Sequence, residues 1–129
     1  MNPDELLTLA ECREIDQTLL PAQDRFAIRI TVYSLRYLTP VAEERGIDLE
    51  DLQPGDIYTW IEGDRSLQME ELNRPGFMVW YAQFLISSLE KLRQVAATQE
   101  LTIKDLTVDQ IINWFRHQVN QTIDANKKS

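Results

Sequence analysis

The sequence predicts an all-α fold: a compact helical bundle of five or six helices, built as two tandem helix-turn-helix halves related by internal pseudo-symmetry. Three observations lead there. Hydrophobic residues make up 43% and charged residues 26%, while four glycines and five prolines leave little room for a turn-rich β design. Apolar residues keep helical spacing through most of the chain, and no useful stretch alternates as a half-buried strand would. Finally, the chain resembles itself when it is slid, without a gap, until Pro21 falls on Pro75.

The repeat pairs residues 21–61 with 75–115 and holds ten identical positions. They are Pro21/Pro75, Ser34/Ser88, Leu35/Leu89, Leu38/Leu92, Val41/Val95, Ala42/Ala96, Asp51/Asp105, Leu52/Leu106, Ile57/Ile111 and Trp60/Trp114. Two amphipathic helices share leucines and valines by pattern alone. The matched Pro, Asp and Trp go beyond that pattern and imply a doubled helical hairpin.

In chain order, Asn2 or Asp4 can cap a first helix reaching about Leu20, with Leu6, Leu9, Ile15 and Leu19 on a ragged apolar side. Pro21 suits a helix start, and a second helix runs from about Ala22 towards Arg45, with Pro40 placed to kink or split it. Gly46 is a stop. Ile47–Leu52 reads as a turn or helical fragment, and Pro54 to Glu62 as a short helix. Gly63–Ser66 reads as a turn, Leu67–Leu72 as a short polar-rich helix, and Asn73 as the cap of a long helix from Pro75 to about Thr98. Thr107 and Gln110 have capping-box spacing and open a last helix reaching about Ile123. Residues 1–124 are thus expected to form a single helical domain, and 125–129 a disordered polar tail ending in Lys127-Lys128.

Thirteen basic against twenty-one acidic residues give a net charge of −8, which repels phosphate backbones and anionic lipid heads. The single cysteine, Cys12, excludes an internal disulfide and any site built on paired thiolates. The first residues carry no basic region, and no run reaches the roughly 18–20 apolar residues of a membrane span. A cytoplasmic chain with no membrane partner is the expectation.

The candidate binding residues lie on the two long helices. Arg25, Arg29 and Arg36 fall within about 40° of one another at 100° per residue, a stripe suited to solvent or to carboxylates of a partner. In the second copy the matching positions are Val79, Gln83 and Glu90, so one half offers a cationic face and the other a largely neutral one. Eight of the nine residues from Met78 to Ile86 are apolar, more than one small core absorbs easily, and Ile86 joins the candidate contact face. Trp60 and Trp114, with Asp51 and Asp105 bracing the preceding turns, read as structural anchors. Trp80, which matches Phe26, reads as core.

Chemistry finds little support. His117 is the single histidine, and neither a nucleophile elbow nor a glycine-rich phosphate loop occurs. Catalytic, cofactor and metal residues are therefore expected to be none. The favoured function is a small, acidic, non-catalytic interaction protein: an adaptor, assembly factor, chaperone or regulatory subunit, with homodimerisation also open. A ligand-binding or enzymatic pocket between the two halves is the alternative. A nucleic-acid regulator is third: Asn113, Arg116, His117 and Gln118 share one helix, but the acidic excess opposes it.

Overall fold

The computed structural model describes residues 7–64 and 75–128, with side chains between 7 and 121. The described residues are mostly helical, with no strand among them. The helices are α1 (Leu9–Asp16), α2 (Ala22–Arg45), α3 (Pro54–Gly63), α4 (Pro75–Gln99) and α5 (Val108–Lys128). Short 3-10 turns at Leu49–Asp51 and Ile103–Asp105 precede α3 and α5. The short helix expected at 67–72 and the caps expected of Asn2, Asp4 and Asn73 fall outside the described residues.

Local chemistry explains the starts and stops. α1 begins later than expected because Thr8 and Glu11 form a reciprocal capping box, at 3.1 and 2.9 Å. It ends at Asp16 rather than near Leu20. α2 runs unbroken through Pro40, and the neighbouring Thr39 hydroxyl donates to the Leu35 carbonyl at 2.6 Å. Gly46 closes α2 at φ 67°, in the left-handed region that suits glycine. At the other end of the chain α5 continues to Lys128, past Ile123, making a third long helix where two were expected.

The helix starts, the ends of α2 and α4 and the 3-10 turns fall at corresponding positions to within a residue, although α5 runs well past the position matching the end of α3. Several backbone bonds also correspond. The Ile47 amide donates to Ala42 at 3.1 Å and the Leu101 amide to Ala96 at 3.0 Å. Asp51 donates to Asp48 and Asp105 to Thr102, at 2.9 and 3.0 Å; Ile57 donates to Gln53 and Ile111 to Thr107, at 3.4 and 3.1 Å. The helix starts match as well: Asp56 accepts from the Gln53 amide and Gln110 from the Thr107 amide, both at 2.9 Å.

One core cluster runs through all five helices. Ile28, Val32 and Leu38 of α2, Leu85, Leu89 and Leu92 of α4, and Ile57, Ile61 and Ile111 are among its nearly inaccessible members. The two 3-10 turns are pinned to each other. Arg93 donates to the carbonyls of Glu50 and Leu52, at 3.0 and 3.1 Å, and the Ile103 amide donates to the Glu50 carboxylate at 3.3 Å.

Candidate protein-docking surface

Helices α2 and α4 are antiparallel. Tyr37 meets Tyr81 with ring centroids 5.5 Å apart, Tyr33 meets Phe84 at 6.3 Å, and further along Ile30 and Ser87 line one recess. On one side of this pair the gap is full. The hydroxyls of Tyr33 and Tyr81 bond each other, and Tyr37 donates to Asp64 at 2.6 Å, tying the end of α3 to α2. Burial, reinforced for Tyr37 by the Asp64 carboxylate and for Tyr81 by the Tyr33 hydroxyl, pushes both phenols well above the usual tyrosine range.

On the other side lies an apolar recess of about 310 Å³, lined by Phe26, Ala27 and Ile30 of α2 and by Phe84, Ser87 and Lys91 of α4. Phe115 of α5 forms part of its wall. Phe26 is 62% exposed, Trp80 61% and Val79 53%. Trp80 stacks on Phe84 at 5.8 Å and on Phe77 at 5.9 Å, so the aromatic surface is continuous from the recess to the start of α4. This corrects the expectation that Trp80 is core. Tyr81, Ala82 and Leu85 take the buried side of α4, which turns Trp80 away from it, and no described element lies over that face.

The predicted contact residues divide. Arg29 donates to both carboxylate oxygens of Asp16 at 2.7 Å, and Arg36 forks onto Glu11 at 2.5 Å, so these two arginines hold α1 against α2. The Arg36 fork, helped by the Thr8 amide, lowers the Glu11 pKa to about 2 despite its burial. Arg25 is half-buried, with its Nε atom out of reach of solvent. On α4, Gln83 donates to the Tyr58 hydroxyl at 3.1 Å, Glu90 accepts from Arg93 at 3.1 Å, and Ile86 is half-buried. Only Val79 among the seven lies in a run of exposed large apolar residues, beside Trp80.

The proposed anchors are also unequal. Trp114 is buried, packed edge-on against Phe115 at 5.2 Å, with the Lys91 ammonium 5.1 Å from its ring centre. Trp60 is half-exposed and lines an open polar recess of about 710 Å³ with Glu44, Arg45 and Asp64. Asp105 accepts from the Thr102 hydroxyl at 2.7 Å, bracing its turn. At the matched turn the place of Thr102 is held by Asp48, a second carboxylate, which offers Asp51 no hydroxyl donor.

Sequence reasoning missed Phe26 and Trp80. The available signal was the pairing itself, since both are aromatic, fall on each other in the repeat and lie within the first two turns of a long helix.

None of the described elements covers this aromatic face, and exposed apolar patches of this kind are typical of interaction surfaces. Residues 7–122 match the family model described as NDH complex assembly factor CRR9, and with nearly the whole chain matched, the protein belongs to that family. No curated protein and no solved structure matches it. Among the described residues, no helix is long and apolar enough to cross a membrane.

Proposed function

We propose that the chain serves NDH complex assembly as a non-catalytic docking protein, holding a protein of that complex against the aromatic face of α2 and α4. The observation that carries this reading is the exposure of Phe26 and Trp80 on either side of Phe84, beside an apolar recess. Large apolar side chains left in water are costly unless a partner covers them, and aromatic residues dominate the energetics of such contacts. The family membership supplies the process. Val79 belongs to the contact, and Arg25 sits beside Phe26 to orient the partner.

Arg29 and Arg36 take a different part in this reading: their pairing to α1 keeps α2 presented. The excess of negative charge favours a protein partner over nucleic acid or lipid.

Tagged wild-type chain, captured from its host, is expected to retain subunits of the NDH complex, and the double variant Phe26→Ser, Trp80→Ser to lose them while melting at an unchanged temperature. Equal capture by both proteins would overturn the reading. So would light scattering that shows the same face closed by a second copy of the chain.

A further inference from the structure

The recess has an internal template for its occupant. In the repeat, the three tyrosines that fill the opposite side of the α2–α4 pair, Tyr33, Tyr37 and Tyr81, correspond to Ser87, Lys91 and Ala27, and Phe84, which packs on Tyr33 and Tyr81 and also lines the recess, corresponds to Ile30. Ser87, Lys91, Ala27 and Ile30 all line the recess. Its Phe115 wall likewise corresponds to Ile61, at the end of α3. One side is packed by the chain's own rings, at centroid distances of 5.5 to 6.3 Å. On the other, the positions matching the three tyrosines hold a hydroxymethyl, a lysine stem and a methyl, and the result is a hollow.

We propose that this recess receives an aromatic side chain of the partner protein, with a carboxylate next to it that pairs with Lys91. The inference rests on the docking reading above and adds the chemistry of what is docked. Ring size follows from the filled counterpart, where tyrosines occupy the same interhelical gap. Charge follows from the lining, in which Lys91 is the one charged residue among those described. In the filled counterpart Tyr37 ends on the Asp64 carboxylate; in the recess the matching position supplies an ammonium, so the anion comes from outside. Lys91 is held for this, half-buried over the Trp114 ring rather than extended into water. An aromatic ring seated in a dry pocket with a neighbouring ion pair is the usual form of an interface anchor.

The test uses the full chain and the same capture from its host. Ser87→Tyr fills the recess with the chain's own ring, as Tyr33 does opposite, and is expected to cut captured NDH subunit by at least about tenfold with no fall in Tm. Lys91→Glu is expected to weaken capture in the same direction. Carbodiimide treatment of the wild-type complex should join Lys91 to an Asp or Glu adjacent to an aromatic residue of the partner. If the wild type captures no NDH subunit, the docking reading and this one fall together. If it does, and both variants capture equally well, or Lys91 is joined to an acid with no aromatic neighbour or to a second copy of this chain, this proposal alone is overturned. Should Ser87→Tyr melt early, Lys91→Glu and the crosslinked peptide decide.

Discussion

Gly46 and Glu100 occupy matching positions in the two halves and close α2 and α4 in the same left-handed conformation, at φ 67° and 56°. The following amide reaches back to the helix in both cases, from Ile47 and from Leu101. Glycine adopts this geometry without penalty, whereas a side chain crowds its own backbone there. Replacing Glu100 with glycine is therefore expected to stabilise the protein by about 1 kcal/mol, and Gly46→Ala to destabilise it by a similar amount. Nothing lies within 4 Å of a Cβ built at Gly46, so conformational strain alone sets that cost. Urea unfolding of the two variants measures both signs; a Glu100→Gly protein less stable than wild type would contradict the reading.

The Glu11–Arg36 fork makes α1 docking sensitive to acid. Glu11 has its pKa lowered from 4.5 to about 2 in the folded chain, chiefly by the Arg36 hydrogen bonds. A carboxylate depressed on folding contributes stability that is fully present above its unfolded value and drains away as pH falls towards its folded one. The Glu11 contribution is thus whole above about pH 4.5 and lost on the way to about pH 2. Glu11→Gln should remove that part of the acid limb of a Tm-versus-pH curve and lower stability at neutral pH. Arg36→Met should do the same from the other side.

Arg93 is expected to be the costliest exposed-side truncation. Its guanidinium serves the carbonyls of Glu50 and Leu52 and so clamps one 3-10 turn to α4, while Glu50 holds the amide of Ile103 in the other. Arg93→Met leaves two carbonyls without a charged donor and should cost about 1–3 kcal/mol. Hydrogen exchange at Asp51, Leu52, Asp105 and Leu106 should accelerate together in that variant. Acceleration in only one turn would mean that the two turns are not coupled.

Much of the fold was legible because it is written locally. Pro21, Gly46, Pro54 and the Thr107–Gln110 pair mark boundaries that the helices respect to within a residue or two. The Thr8-x-x-Glu11 capping box that starts α1 was equally local and was passed over for Asn2 and Asp4. The arginine stripe was visible as a stripe, but its ion pairs join residues 13 and 25 positions apart, and only the packing of α1 across α2 reveals them. Trp80 was misplaced for a related reason. Hydrophobicity says that a side chain seeks cover, while the number of elements available to cover it is a tertiary fact. The left-handed Glu100 carries no residue signal at all and is foreshadowed only by Gly46.

The aromatic face predicts a separation of stability from binding. Phe26 and Trp80 are mostly exposed, so Phe26→Ser or Trp80→Ser should change stability by no more than about 0.5 kcal/mol. Leu85 and Leu92, inaccessible in the core, should cost about 2–5 kcal/mol when cut to alanine. Paired thermal melts and capture assays distinguish the two groups: the serine variants lose the partner and keep the fold, and the alanine variants weaken the fold.

The most direct measurement is the amount of assembled NDH complex, on native gels, in host cells lacking this gene and supplied with either the wild-type chain or the Phe26→Ser, Trp80→Ser double variant at equal abundance. The wild type is predicted to restore the complex and the double variant to leave it depleted although its own helical content is intact. Full restoration by the double variant would contradict the claim that the uncovered aromatic face of α2 and α4 is where this protein works.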